Sequence, residues 1–328
     1  ASTATQVGQD GNEYPVMHAC GHDVHITSMV GTARRLMAMK DQWTGTLMFV
    51  VQPAEERVGG AAAMLADGLY DRFGKPDYAL AFHVSSGLAT GKISASETIQ
   101  YSSADSVDIM VPGVGAHGAS PHMGRDPVYI ASQIVTALQS IVSREIEPLS
   151  PAVITVGAFH SGTKHNIISD RADLQLTVRA NDEDTRAQLL AAIERIAVNT
   201  GRAHGLPEEM PVQVAVSEGT PVTNNDPALA RRLNAALQRD LGNEVLIPWQ
   251  QRGMGAEDFA YFVAEEYGVP GYYFAVGGTP QAAFDAAAAG GPPVPSHHSP
   301  LFKIAPRESV TLGTEAMVAA VLELAPAS

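Results

Sequence analysis

LMFVVQPAEE, residues 47–56, is the stretch from which the architecture of this chain is read. Five apolar residues in succession, Leu47 to Val51, lie between Gly45 and Pro53. A continuous run of that length, rather than an alternating one, predicts a short strand covered on both faces. Upstream, Val24, Met29, Val30, Ala33, Leu36 and Met37 recur near a 3.6-residue period and predict a helix over 24–40. Downstream, a Gly-Ala helix is predicted over 59–67, followed by the strands YALAFHV (78–84) and KISAS (92–96). Strand, helix and strand in this rhythm build an α/β layer structure with a largely parallel sheet.

The rhythm changes after about Ser102. SVDIMVPG (106–113) is followed by a long helix over 126–145, strands at 153–160 and 171–179, a helix over 183–204 and the strand VQVAVS (212–217). That order is β-α-β-β-α-β, a ferredoxin-like unit that buries its own core. Residues 103–219 are therefore expected to be an inserted domain, and 1–102 with 220–328 one discontinuous domain around it. In the returning half, DPALARRLNAALQRDLG (226–242) is an amphipathic helix, VLIPW (245–249) a strand, AEDFAYFVAEEYG (256–268) a helix and GYYFAVGG (271–278) a strand. AAFDAAAAGGPPVPS (282–296) reads as a loose loop, and 306–325 closes the chain as a helix.

Composition limits what such a chain could do. Its 328 residues exceed the size at which one core usually stops growing, so two domains are expected. Lys and Arg number 21 against 35 Asp and Glu, a net charge of −14, with no basic run, which argues against nucleic acid and anionic membrane as partners. A single cysteine, Cys20, makes no internal disulfide, so a reducing, cytoplasmic setting is expected. No apolar run approaches the roughly 20 residues needed to span a bilayer, and ASTATQVGQDGNEYP (1–15) lacks both the basic and the apolar part of a signal peptide.

The chemistry concentrates at predicted strand ends and loops. HACGHDVH (18–25) holds three histidines, an aspartate and the lone thiol. Taken alone, Cys20 could be a buried bystander, a nucleophile or a ligand, and free cysteine is most often simply buried. Glu55 and Glu56 follow the 47–51 strand, where functional groups of α/β sheets gather; one could bind a metal while its neighbour moves a proton, although acidic residues also favour a solvated first helical turn. His83 stands near the carboxyl end of an apolar strand, and SHHSP (296–300) brings two further histidines late in the chain. Each signal is weak singly. As a set, Cys20, His22, Glu56, His83 and a late histidine offer thiolate, imidazole and carboxylate, and five ligands suit two metal ions sharing a bridge better than one.

These segments resemble a family: the metal-dependent amidohydrolases that include hippurate hydrolase, auxin-conjugate hydrolases and N-acyl-amino-acid amidohydrolases, relatives of aminoacylase and glutamate carboxypeptidase. MHACGHDVH, QPAEE, AFHV, AHGASPHMGRDPV, HNIISDRADLQLTVR, GMGAEDFAYF and HHSP carry the likeness in order. The resemblance implies a zinc-peptidase-like three-layer catalytic domain and a lid domain that carries a homodimer contact. It implies that Cys20 bridges two divalent ions, with His22, Glu56, His83 and His298 completing their shells. His298 is chosen over His297 because it directly precedes Ser299-Pro300. Glu55 would be the general base, His117 would help stabilise the oxyanion, often in the partner's site, and Asn166 and Arg179 would hold the free carboxylate of an N-acyl amino acid or related conjugate. Zinc or manganese is the first expectation for the two ions, with cobalt or nickel also compatible with mixed N, O and S ligands.

The family pattern also includes an Arg-Ala-Asp-x-Asp-Ala-Leu-Pro segment ahead of the HACGHD motif, which has no counterpart here. An exposed sheet edge or apolar patch is the expected structural consequence. It also keeps a second reading in play: a metal-binding or dimer-forming descendant that keeps the ligands without turnover.

Overall fold

The computed structural model of the chain describes residues 3–8 and 10–327. Among these, the buried apolar side chains sort by position in the sequence. One cluster comes wholly from residues 107–212, with Ile134, Leu138, Leu174, Leu189 and Ile193 almost completely enclosed. The others lie outside that span, the largest of them around Val84, Ile93, Leu233, Tyr272, Phe274 and Ala316.

The 107–212 cluster fills the space between two helices and an antiparallel sheet with strand order Gln213–Thr220, Ala104–Pro112, Arg171–Ala180 and Ala152–Ser161. Alternation creates its two faces. Val107, Ile109 and Val111 are buried, whereas Asp108 and Met110 between them are less so. The covering helices Pro127–Ser140 and Glu183–Ala203 start on aspartates: Asp126 accepts from the N–H groups of Val128 and Tyr129, and Asp182 from that of Thr185. The first helix ends in a wider π turn, Ile141–Glu145. This is the expected ferredoxin-like unit.

The second sheet runs in the order Leu246–Ile247, Ile93–Ser94, Gly271–Thr279 and Ala79–Ala89. The two outer pairings are parallel and the middle one antiparallel. Successive residues of Gly271–Thr279 serve opposite layers. Tyr272, Phe274 and Val276 pack with the helices His22–Ala38, Pro227–Leu241 and Pro306–Leu324, while Tyr273 joins Ala61, Leu69, Phe259 and Phe262 on the other side. Sheet between helical layers is the architecture anticipated from the α/β rhythm.

Three sequence readings are corrected. Residues 47–51 enter no ladder, and Met48, Phe49 and Val51 are exposed. Apolarity makes this segment strand-like, but a strand needs a neighbour for its N–H and C=O groups, and none of the described residues supplies one. AEDFAYF forms only a 3-10 turn, Asp258–Val263, because Glu257 caps it and buried Asp258 is tied elsewhere. The supposed loop after Pro280 contains a helix, Gln281–Ala288, as its alanines favour.

One local constraint sets up the site. Gly21 adopts φ 87° directly before the helix His22–Ala38, and a Cβ there would lie 2.4 Å from Val84 Cγ1. Only glycine turns the chain this way so close to the neighbouring strand. Leu138→Ala, which opens a cavity in the 107–212 core, should cost about 3 kcal/mol, read as an earlier urea midpoint for that part of the protein.

Candidate metal centre

The helix beginning at His22, the strand Ala79–Ala89, the 3-10 turn Glu55–Arg57 and the loop at Ser296–Ser299 converge beside His83 on the edge strand of the second sheet. Their functional atoms form three close sets, one joining His22 to Glu55 and Glu56 and two that contain Cys20. Cys20, His22 and His83 offer atoms all within 4.8 Å of one another, and so do Cys20, Glu56 and His298. Cys20 is the only residue common to both.

Individual distances give the same picture. Cys20 Sγ lies 3.4 Å from His83 Nε2. Glu56 reaches in two directions: Oε1 is 3.7 Å from His22 Nε2 and Oε2 is 3.2 Å from His298 Nε2. Glu55 Oε2 is 3.5 Å from His22 Nε2. The tautomer of His83 follows from its other nitrogen. Nδ1 is 2.6 Å from the carbonyl oxygen of Val84, which only accepts, so Nδ1 carries the proton and Nε2 turns a lone pair toward Cys20.

Electrostatics add a physical test of metal fit. Burial holds His22, His25 and His297 below the ordinary imidazole range, and takes His83 down to about 3. These rings are therefore neutral, the form in which imidazole binds metal. Burial, followed by Glu56 and Glu55, pushes the Cys20 thiol up to about 12. Lone pairs and carboxylates thus crowd together with no Lys or Arg ion-paired to them among the described residues. A divalent cation would supply the missing positive charge and reverse the penalty on the thiolate. The donor set fits.

Backbone strain concentrates at the same place. Ala54, Val58 and His298 are the non-glycine residues with positive φ among the described residues, at 53°, 47° and 63°. The first two bracket the Glu55–Arg57 turn, and the third is a member of a ligand set. A β-branched residue in the left-handed region is unusual, and such strain persists where surrounding structure holds it for a purpose.

Behind the turn lie groups that the motifs contained but to which no role was assigned. Glu257 is buried, accepts from the Tyr273 hydroxyl at 2.6 Å and from the Phe259 N–H at 3.2 Å, and belongs with Glu55 and Asp258 to a further close set. Asp258 is fully buried, accepting from Gln52 and from the Ala61 N–H, and so pins both flanks of the Glu55 turn. Burial, followed by Glu257, pushes Glu55 up to about 8, and burial, with Asp258 adding to it, pushes Glu257 up to about 7. His25, the last histidine of HACGHDVH, lies within ring contact of His22 and His83 and accepts from the Val84 N–H at 3.0 Å. Its spacing three residues beyond His22 on a helix is the signal that could have found it.

The remaining anticipated residues sit apart. His117 and Asn166 share a two-stranded ribbon in which Ala116–His117 pairs with Ile167–Ile168, and Gly118 packs directly on the Asn166 backbone. The Ala119 N–H donates to His117 Nδ1. Arg179, half-buried on the strand Arg171–Ala180, donates to Thr177 Oγ1 at 3.2 Å and has no carboxylate in ion-pair range among the described residues. No hydrogen bond, ion pair or ring contact joins these three residues to the Cys20 cluster among the described residues.

The chain is similar to known proteins in sequence and in fold. The family model described as "Peptidase family M20/M25/M40" matches residues 4–289. Hippurate hydrolase of Campylobacter jejuni is 37% identical over 249 residues, 75% of this chain and 63% of the relative. An N-acetyldiaminopimelate deacetylase of Streptococcus pneumoniae is 36% identical over 255 residues, 77% of this chain and 65% of the relative. The chain thus spans slightly under two thirds of the length of these curated relatives. Among solved structures, a protein of methicillin-resistant Staphylococcus aureus assigned as an aminohydrolase superposes with TM-score 0.82 at 30% identity, covering 94% of this chain and 74% of the other. The Bacillus subtilis YxeP protein, a dinuclear metal-binding peptidase of family M20, superposes with TM-score 0.72 at 25% identity, covering 94% and 73%.

The carboxyls yield a pH prediction for the metal-free protein. A carboxyl whose proton is held more tightly in the folded state stabilises the fold below its unfolded value, near 4.5, and that stability is lost as pH rises through the folded value. The buried imidazoles act oppositely, their contribution fading as pH falls below about 6.5. Metal-free protein should accordingly lose melting temperature from near-neutral to alkaline pH. Glu55→Gln should flatten that decline; an unchanged slope in calorimetry would refute the assignment.

Proposed function

The chain belongs to peptidase family M20/M25/M40, and on that premise we propose that it hydrolyses the amide bond of an N-acyl amino acid or related conjugate, with two divalent ions per subunit. The observation that carries this reading is the pair of ligand sets sharing only Cys20. Zinc or manganese is the first choice for the ions, and cobalt or nickel would be accepted by the same donors. When bound, the ions supply Lewis acidity and make a water acidic enough to ionise near neutral pH.

The chain's own residues account for the remaining work. His83 holds its Nε2 lone pair inward because the Val84 carbonyl takes its Nδ1 proton. Glu55 stands beside the ligands without belonging to the Cys20-sharing sets, with an elevated proton affinity, so it takes a proton from the attacking water and gives it to the departing amine nitrogen. Water adds its oxygen to the acyl carbon, the carbon–nitrogen bond breaks, and a carboxylic acid and a free amino acid result. Arg179 is a half-buried guanidinium with no carboxylate in ion-pair range among the described residues, which supports a role in binding the substrate carboxylate beside Asn166. His117 would stabilise the oxyanion from the ribbon it shares with Asn166. Because no hydrogen bond, ion pair or ring contact among the described residues joins that ribbon to the chain's own Cys20 cluster, we extend the proposal to a homodimer through the lid, in which Ala152–Ser161 is an edge strand.

A panel of N-acetyl, N-benzoyl and indole-acetyl amino acids tests the proposal. Turnover should require metal and disappear with chelator, and Glu55→Gln should lower kcat by about 100-fold or more while leaving bound metal unchanged. Activity insensitive to chelator would overturn the reading; two bound metals without turnover in the full-length gene product would favour the binding-only alternative. Arg179→Met should raise KM by about 10- to 100-fold for substrates with a free carboxylate, and leave the corresponding carboxamides unaffected.

A further inference from the structure

We infer that His297 is a positioning residue for the Cys20 sulfur, holding it with an N–H···S hydrogen bond; the inference rests on the reading of Cys20 as the shared ligand. His297 belongs to neither ligand set. Its Nε2 lies 3.0 Å from the backbone nitrogen of Ser86. A backbone N–H only donates, so Nε2 accepts and the proton of the neutral ring resides on Nδ1. Nδ1 is 3.6 Å from Cys20 Sγ, within range of a hydrogen bond to sulfur.

The ring is fixed from several directions. It packs against Phe302 with centroids 4.9 Å apart and meets the His83 ring edge-on at 5.3 Å. The backbone N–H of the next residue, His298, donates to the Ala19 carbonyl at 2.8 Å, which ties this loop to the residue before Cys20. The positive φ of His298 then sends the adjacent side chains to different tasks: His298 to Glu56, and His297 to the sulfur. With both nitrogens engaged, His297 has no lone pair left for a metal. Instead its N–H engages one lone pair of the sulfur and would weaken the donation of sulfur charge to whatever ion is bound.

Two measurements separate this inference from the reading beneath it. Histidine-labelled metal-free protein should give the ¹⁵N pattern of an Nδ1–H tautomer for His297; an Nε2–H tautomer would overturn the inference with no reference to metal. In cobalt-loaded protein the sulfur-to-cobalt charge-transfer band reports the bond itself. His297→Phe should move that band to lower energy and change cobalt affinity by about 10- to 100-fold, whereas His297→Asn, which keeps an N–H near the position of Nδ1, should restore both towards wild type. A band and affinity identical in wild type and His297→Phe would overturn the positioning role alone. Absence of any such band in fully loaded wild type would instead remove the shared-ligand reading, and this inference with it.

Discussion

Everything at this site depends on the left-handed turn at Gly21. With φ at 87° and no room for a Cβ against Val84, it places Cys20 just before the helix and His22 in its first turn, both alongside the strand that carries His83. The same strand contributes backbone groups to three histidines. Val84 N–H donates to His25, Val84 C=O accepts from His83, and Ser86 N–H donates to His297. A strand lacking a ladder partner on that edge among the described residues uses its polar backbone to set imidazole tautomers.

That arrangement gathers groups that would not choose each other's company. Neutral imidazoles, a thiol whose proton is tightly held and carboxylates of raised proton affinity share a half-buried space. The left-handed conformations at Ala54, Val58 and His298 belong to the same tension, since residues there gain nothing locally from such φ values. The compensating order lies just behind: Asp258 anchors Gln52 and the helix Gly60–Ala66, and Glu257 is held by Tyr273. These hydrogen bonds hold the wall behind the strained turn in place.

Much of this was legible in the residues. Alternation along 104–112 and 171–180, and helices of the right length between them, were enough for the ferredoxin-like unit because local periodicity and burial agree there. The ligand types at Cys20, His22, Glu56 and His83 were equally visible, and the family resemblance singled out His298 from the late pair. The 47–51 segment read wrongly because periodicity records apolarity, while a strand also needs a hydrogen-bonding neighbour. Glu257, Asp258, His25 and His297 were seen but given no role: nothing in a residue's type says whether it faces solvent or a second carboxylate, and His297 differs from His298 by a single turn of the backbone.

By itself, the sequence determined which elements form and which chemical groups could meet, since periodicity, turn residues and donor types are local properties. Tertiary structure alone decided that the two ligand sets share one sulfur, that Glu55 is backed by a buried carboxylate, that His83 and His297 carry their protons on Nδ1, and that Arg179 lacks a carboxylate partner among the described residues. Those are matters of distance and of which backbone group lies opposite, fixed only when segments 277 residues apart, such as Cys20 and His297, are brought within hydrogen-bonding reach.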